Sequence, residues 1–194
     1  MARPKAFDRD TAVQQAMTVF WEQGYEATST DDLLRAMGIG RQSMYDTFGD
    51  KHQLYLEALQ RYQAEYGAAL VERLHATSSP LAALRAALLT VANETPGERA
   101  RGCLFVNAIA ELAHTDPAVA SLVRAGGLLC EAALERVVRV AQRKGELDSS
   151  IDARTAGRFL FATINGLRVS AKAGATPEAL RDVAELALRG LKAL

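Results

Sequence analysis

Apolar residues recur at spacings of three and four almost throughout this chain, and no stretch alternates apolar and polar residues over the length of a strand. That period collects apolar side chains on one face of an α-helix and gives a sheet no face to bury, so the fold class is all-α. The helix starts are marked as well. Ser79-Pro80, Asp116-Pro117 and Thr176-Pro177 each place an N-cap side chain before a proline, whose missing N–H does no harm at the first helical position. Asp152 opens another helix after the loop Gly145–Ser150. These marks predict about nine helices, near residues 9–23, 30–37, 41–46, 51–75, 80–94, 102–114, 117–144, 152–173 and 177–192. The first fifty residues hold short helices and the remainder long ones. The chain therefore divides into 1–50 and 51–194, with the fourth helix shared and no flexible linker.

Of the 194 residues, 49% are hydrophobic, which is ample for a packed core and excludes general disorder. The charge-free apolar runs Gly102–Ala110 and Phe159–Leu167 fall well short of the roughly 20 residues of a membrane span. No apolar run with a cleavage site follows Met1-Ala2-Arg3-Pro4-Lys5, so the expectation is a soluble cytoplasmic protein with no membrane partner. Cys103 and Cys130 make neither a disulfide framework nor a four-ligand zinc site, and no cofactor motif is present. Lys+Arg and Asp+Glu both number 23, and a net charge of zero argues on its face against nucleic acid. Residues 1–53 are even slightly acidic, with 6 Lys+Arg against 8 Asp+Glu.

Placement says otherwise. Val13, Ala16, Met17 and Phe20 give the first helix one apolar face, and Gly24 is the expected left-handed stop. Thr28-Ser29-Thr30 supplies N-cap hydroxyls for a helix buried through Leu33, Leu34 and Met37. Gly38 closes it, Ile39 plugs the turn, and a second short helix begins at Arg41. Two short helices joined by a Gly-containing turn have the form of a helix-turn-helix, whose second helix fits the major groove. Arg41, Gln42 and Ser43 are then the base readers, since the Arg fork matches guanine and the Gln amide matches adenine. Thr30, Tyr45 and Lys51 suit phosphates. Arg3 and Lys5 form a basic arm. Spacing alone also allows an ordinary helical hairpin with a polar face.

The string Gly24-Tyr25-Glu26-Ala27-Thr28-Ser29, with Met37-Gly38-Ile39 and Met44-Tyr45-Asp46-Thr47-Phe48-Gly49-Asp50-Lys51, closely resembles the N-terminal domain of the TetR family of transcriptional regulators over roughly residues 9–57. The resemblance implies a helix-turn-helix three-helix domain, followed by a larger helical domain for ligand binding and dimerisation. It implies a homodimer paired through its last two helices, a repressor bound to inverted-repeat double-stranded DNA and released by a small-molecule inducer. Two departures stand out. Asp46 and Thr47 follow Tyr45 where many members carry a second aromatic, so no phosphate contact is carried onto Asp46. Gly40 stands where a capping serine is common.

Beyond residue 57 the resemblance is weaker. Gly157, Ala162, Gly166, Ala171, Ala173, Ala184, Ala187 and Gly190 line the last two helices and suit close helix approach, across a dimer or within one chain. Cys103 follows Arg101-Gly102 at a helix start, where the dipole and a cation favour a thiolate. Gly102-Cys103-Leu104-Phe105-Val106-Asn107 is similar to the string of family members whose cysteine senses electrophiles or oxidants, while a buried cysteine filling a core gap is the plainer reading. Cys130, among Leu128, Leu129, Ala132 and Ala133, reads as packing. The family's pocket lies among the middle helices, which makes Cys103, Phe105, Asn107, Ile109, Glu111, Phe159 and Asn165 the ligand-binding candidates. Asn107 and Asn165 need partners if buried. Two alternatives remain. Glu72-Arg73-Leu74-His75 and Glu111-Leu112-Ala113-His114 have the Glu-x-x-His spacing of a di-iron carboxylate bundle, although each His falls in a last helical turn. A helical protein-interaction scaffold is the other.

Overall fold

A computed structural model describes residues 7–192, so the arm residues Arg3 and Lys5 lie outside the described residues. Its described helices are α1 (Arg9–Gln23), α2 (Thr30–Met37), α3 (Arg41–Phe48), α4 (Lys51–His75), α5 (Pro80–Asn93), α6 (Pro96–Arg101), α7 (Leu104–Glu111), α8 (Pro117–Arg143), α9 (Ala153–Lys172) and α10 (Pro177–Arg189). Each of the nine expected helices has its counterpart, and no strand occurs among the described residues. The additional short helix is α6. Its signal is local: Thr95 accepts from the Glu98 amide, Glu98 accepts from the Thr95 amide, and Pro96 sits at the first position. Ser79, Asp152 and Thr176 cap α5, α9 and α10 as their sequence positions predict.

The chain forms two compact units, one comprising residues up to Glu65 with Cys103–Val123, the other Tyr66–Gly102 with Arg124–Leu194. In the first unit α1 packs on α2 and α7. Ala12, Val13, Ala16, Met17 and Phe20 of α1 are buried, as are Leu33, Met37, Met44 and Phe48 of the two short helices. Each large apolar side chain so buried contributes about 1.5–3 kcal/mol. Phe20 meets Tyr55 edge-on at 4.9 Å between centroids, and Tyr25 lies 4.8 Å from the same ring. The Tyr55 hydroxyl is buried without a hydrogen-bond partner, and burial pushes its pKa far up.

Two polar ties fix this unit. Gly24 ends α1 at φ 84° and ψ 170°, a positive φ but not the left-handed helical geometry the sequence predicts. The chain turns instead so that the Tyr25 amide donates to Glu111 Oε2 at 3.0 Å. At the start of α4, His52 Nε2 lies 2.5 Å from Asp116 Oδ2. Asp116 also accepts the Ala118 and Val119 amides at 2.9 and 3.1 Å, which caps α8. Burial favours the neutral Asp116 carboxyl, but the Val119 amide, His52 and the Ala118 amide outweigh it and hold its pKa below the ordinary 3.8.

In the second unit α5, α9 and α10 pack together with the C-terminal part of α8. Leu84, Leu88, Leu134, Leu160, Ile164 and Leu188 are central to its core, and Cys130 lies at its edge as a packing residue. α8 is long and apolar enough to cross a bilayer, yet Leu134, Val137, Val138 and Ala141 are buried in this core. Gly157 is needed within the chain, since a Cβ there would lie 3.0 Å from the Glu135 backbone nitrogen on α8. Arg168 of α9 pairs with Glu94 at the end of α5, both nearly buried. Phe159 and Val169 on α9, and Val183 and Leu186 on α10, remain large apolar side chains exposed to solvent.

Candidate nucleic-acid interface

α2 and α3 present their outward faces because their inward ones are fully used. Ser29 and Asp32 form a reciprocal capping box that starts α2, and Gly38 ends it in the left-handed conformation at φ 63°, ψ 31°. Met44 and Phe48 bury the inner side of α3, so Arg41, Gln42, Tyr45 and Asp46 form its exposed side, with Ser43 half-buried beside them. Gly40 precedes α3 and gives no side-chain cap, so the first amides of that helix have no hydroxyl over them. Thr30 is the first residue of α2 and half-buried. Lys51 Nζ sits 4.3 Å from the centroid of the Tyr25 ring, a cation–π contact that places the ammonium at the start of α4.

The six expected DNA-contacting residues thus all belong to the first unit and cluster on α2, α3 and the α4 start. Sequence reading did not find their intramolecular partners. Arg41 Nη2 donates to Asp31 Oδ1 at 2.6 Å, linking α3 to α2. Gln42 Nε2 donates to Asp46 Oδ1 at 2.7 Å, one turn along α3. The second pair had a local signal, a Gln and an Asp four residues apart on one helix. The first joins separate helices and had none. Both are exposed, so neither contributes much to stability.

The expected ligand residues divide between the two units. Cys103, Phe105, Asn107, Ile109 and Glu111 lie on or beside α7 in the first unit, whereas Phe159 and Asn165 lie on α9 in the second. Cys103 is 6% exposed and its sulfur accepts the Tyr62 hydroxyl at 3.3 Å. The Phe105 ring stands 5.6 Å from that of Tyr62, and Asn107 is half-buried. Ile109 is solvent-exposed, and Glu111 is the acceptor for the Tyr25 amide. Phe159 borders an apolar hollow of about 480 Å³ between α9 and α10, with Val183 and Leu186. A larger hollow of about 630 Å³, lined by Arg73, Arg85, Leu89, Asn93 and Glu94 among others, includes none of the seven. Of the Glu-x-x-His residues, His75 Nδ1 lies 2.8 Å from the Val71 carbonyl, and Glu72 and Glu111 fall in different units.

Two short helices joined by the Gly38 turn, the second with an exposed polar face, have the form of a helix-turn-helix. The description "Bacterial regulatory proteins, tetR family" matches residues 12–58, and "Tetracyclin repressor-like, C-terminal domain" matches residues 77–187. The chain belongs to the TetR family of transcriptional regulators. It is 33% identical over 193 residues to the HTH-type transcriptional repressor ComR of Escherichia coli (strain K12), covering 96% of this chain and 90% of that one. It is 35% identical over 190 residues to the HTH-type transcriptional regulator YezE of Bacillus subtilis (strain 168), covering 97% and 98%. A solved cysteine mutant of the TetR-family regulator CifR, complexed with 26-bp double-strand operator DNA, is 33% identical with a TM-score of 0.82, covering 98% of this chain and all of that one. Reduced NemR of E. coli shares the fold, with a TM-score of 0.85 at 20% identity.

Proposed function

We propose that this regulator is a repressor that binds an inverted-repeat operator as a homodimer and is released by a small-molecule inducer in the cytoplasm. The observation that carries the DNA-binding part is the outward face of α3, where Arg41, Gln42 and Tyr45 stand exposed above the buried Met44 and Phe48. Residues 1–50 bind DNA in this reading, and 51–194 bind ligand and dimerise. Arg41, Gln42 and Ser43 read base edges in the major groove. Thr30, Tyr45 and Lys51 position the phosphates. The exposed apolar side chains Phe159, Val169, Val183 and Leu186 on α9 and α10 favour pairing through the last two helices, and two-fold half-sites require a two-fold protein. The inducer, held by some of Cys103, Phe105, Asn107, Ile109, Glu111, Phe159 and Asn165, acts by preferring one tilt of α4 over another.

Selection of bound duplexes from a random pool with purified protein tests this reading directly. An inverted repeat is the expected result, and recovery of no common sequence in any ligand state overturns the DNA-binding proposal. Arg41→Ala is expected to relax base choice at one position in each half-site. Lys51→Ala is expected to weaken all sequences alike and to lower the salt slope by about 0.9, the share of one phosphate. Equal losses on operator and scrambled DNA for both variants contradict that division of labour.

A further inference from the structure

The two long donors on the outward face of α3 are both engaged by the protein's own carboxylates, but the two pairs leave different things free. Arg41 gives Nη2 to Asp31 and keeps several further N–H groups in its fork. Gln42 has only two N–H groups and one acceptor oxygen, and one of those N–H groups is on Asp46 Oδ1 at 2.7 Å. What remains is Oε1 with a single N–H, the acceptor–donor pair that matches adenine N6 and N7 in the major groove. The carboxylate also fixes which way the amide faces, because turning Oε1 toward Asp46 would set two acceptors against each other. Guanine presents two acceptors there, O6 and N7. An amide with one N–H committed has no second donor to meet them.

We propose that Asp46 is a positioning residue for sequence recognition: by holding one N–H of Gln42 it makes that side chain a reader of adenine and denies it guanine. The proposal rests on α3 being the recognition helix. The register supports it, since Gln42 and Asp46 are four residues apart on the exposed side while Met44 and Phe48 face inward. Asp46 contacts no phosphate in this arrangement. Its charge weakens binding to every sequence while its hydrogen bond sharpens the choice at one position.

The test compares wild type, Gln42→Ala, Asp46→Ala and Asp46→Asn by selection from a random duplex pool, followed by titration of matched duplexes at one salt concentration. Gln42→Ala should lose the adenine preference at one position per half-site. Asp46→Ala should keep the operator but admit guanine at that same position, narrowing the adenine-over-guanine ratio by roughly two- to ten-fold, the scale of immobilising one such side chain. Asp46→Asn keeps an acceptor oxygen without the charge, so it should retain the wild-type ratio. Both Asp46 variants should bind all duplexes more tightly than wild type. The proposal is overturned if Asp46→Ala is as selective as wild type, or if Asp46→Asn is as permissive as Asp46→Ala. It is also overturned if Asp46→Ala abolishes a cytosine preference at a neighbouring position, because Asp46 would then read a base itself. If Gln42→Ala leaves every position unchanged, the assignment of Gln42 as a base reader is what fails.

Discussion

Replacing Gly24 with alanine tests the joint that holds the α1–α2 turn against α7. Two separate costs are built into that position. At φ 84° and ψ 170° the backbone occupies a region that only glycine enters freely, and forcing a side chain there costs about 1–3 kcal/mol. The new Cβ would also lie 2.3 Å from Glu111 Oε1. Glu111 must then swing away and release the Tyr25 amide that Oε2 accepts at 3.0 Å. A hydrogen bond to a charged group contributes about 1.5–3 kcal/mol, and the half-buried setting favours the lower end. The total expected loss is about 2.5–5 kcal/mol. The two costs separate in a double-mutant cycle with Glu111→Ala, because there the carboxylate is already gone. Gly24→Ala in that background should cost only the backbone share, leaving a coupling of about 1.5–2 kcal/mol between the two sites. Urea denaturation followed by circular dichroism measures this, at one fixed protein concentration because association adds to apparent stability. A coupling below about 0.5 kcal/mol would show that the carboxylate steps aside freely and that the Tyr25–Glu111 bond anchors nothing.

Two further outcomes follow from the same unit. Tyr55→Phe should raise stability by about 1 kcal/mol, because the hydroxyl it removes is buried without a partner; a loss of similar size in the melting experiment would mean that the hydroxyl is satisfied in solution. Asp116 has a folded-state pKa below its ordinary 3.8, so its carboxylate contributes stability that is fully present above pH 3.8 and is lost as pH falls through the lower folded value. Asp116→Asn should therefore flatten the stability profile below pH 3.8 relative to wild type, and identical acid limbs for the two proteins would refute that role.

What the sequence disclosed depended on how far apart the interacting residues lie. Caps such as Ser79, Asp152 and Thr176 act on amides three residues away, so both partners appear in one short string. The exposure of Arg41, Gln42 and Tyr45 on α3 was legible from the polar string that follows the turn, whereas the inward packing of Met44 and Phe48 and the extension of the helix to Phe48 came from the structure. α6 went unread although Thr95-Pro96-Gly97-Glu98 carries the same capping signal as its neighbours. The Tyr25–Glu111 contact spans 86 residues and leaves no local pattern. Glu111 was read as a ligand candidate, and nothing near it in the sequence disclosed that its carboxylate accepts the Tyr25 amide. Arg41 and Asp31 illustrate the intermediate case: Arg41 stood out as a candidate base contact, but its pairing with Asp31 is a property of how α2 meets α3.

The unit that carries α3 is not contiguous in the chain. It recruits Cys103–Val123, from which Leu104, Ala108 and Leu112 are buried and Glu111 and Asp116 supply its polar ties. Recombination that exchanges only the first sixty-five or so residues between relatives would bring a foreign α7 against α1 and a foreign carboxylate, or none, to the Tyr25 amide. Viable hybrids would need two crossovers, or a partner already matched at positions 104, 108, 111, 112 and 116. Inheritance of DNA specificity in this lineage is thus tied to a segment that touches no DNA in the proposed mode, and changes in α7 are expected to accompany changes around Gly24 and His52 when such proteins diverge.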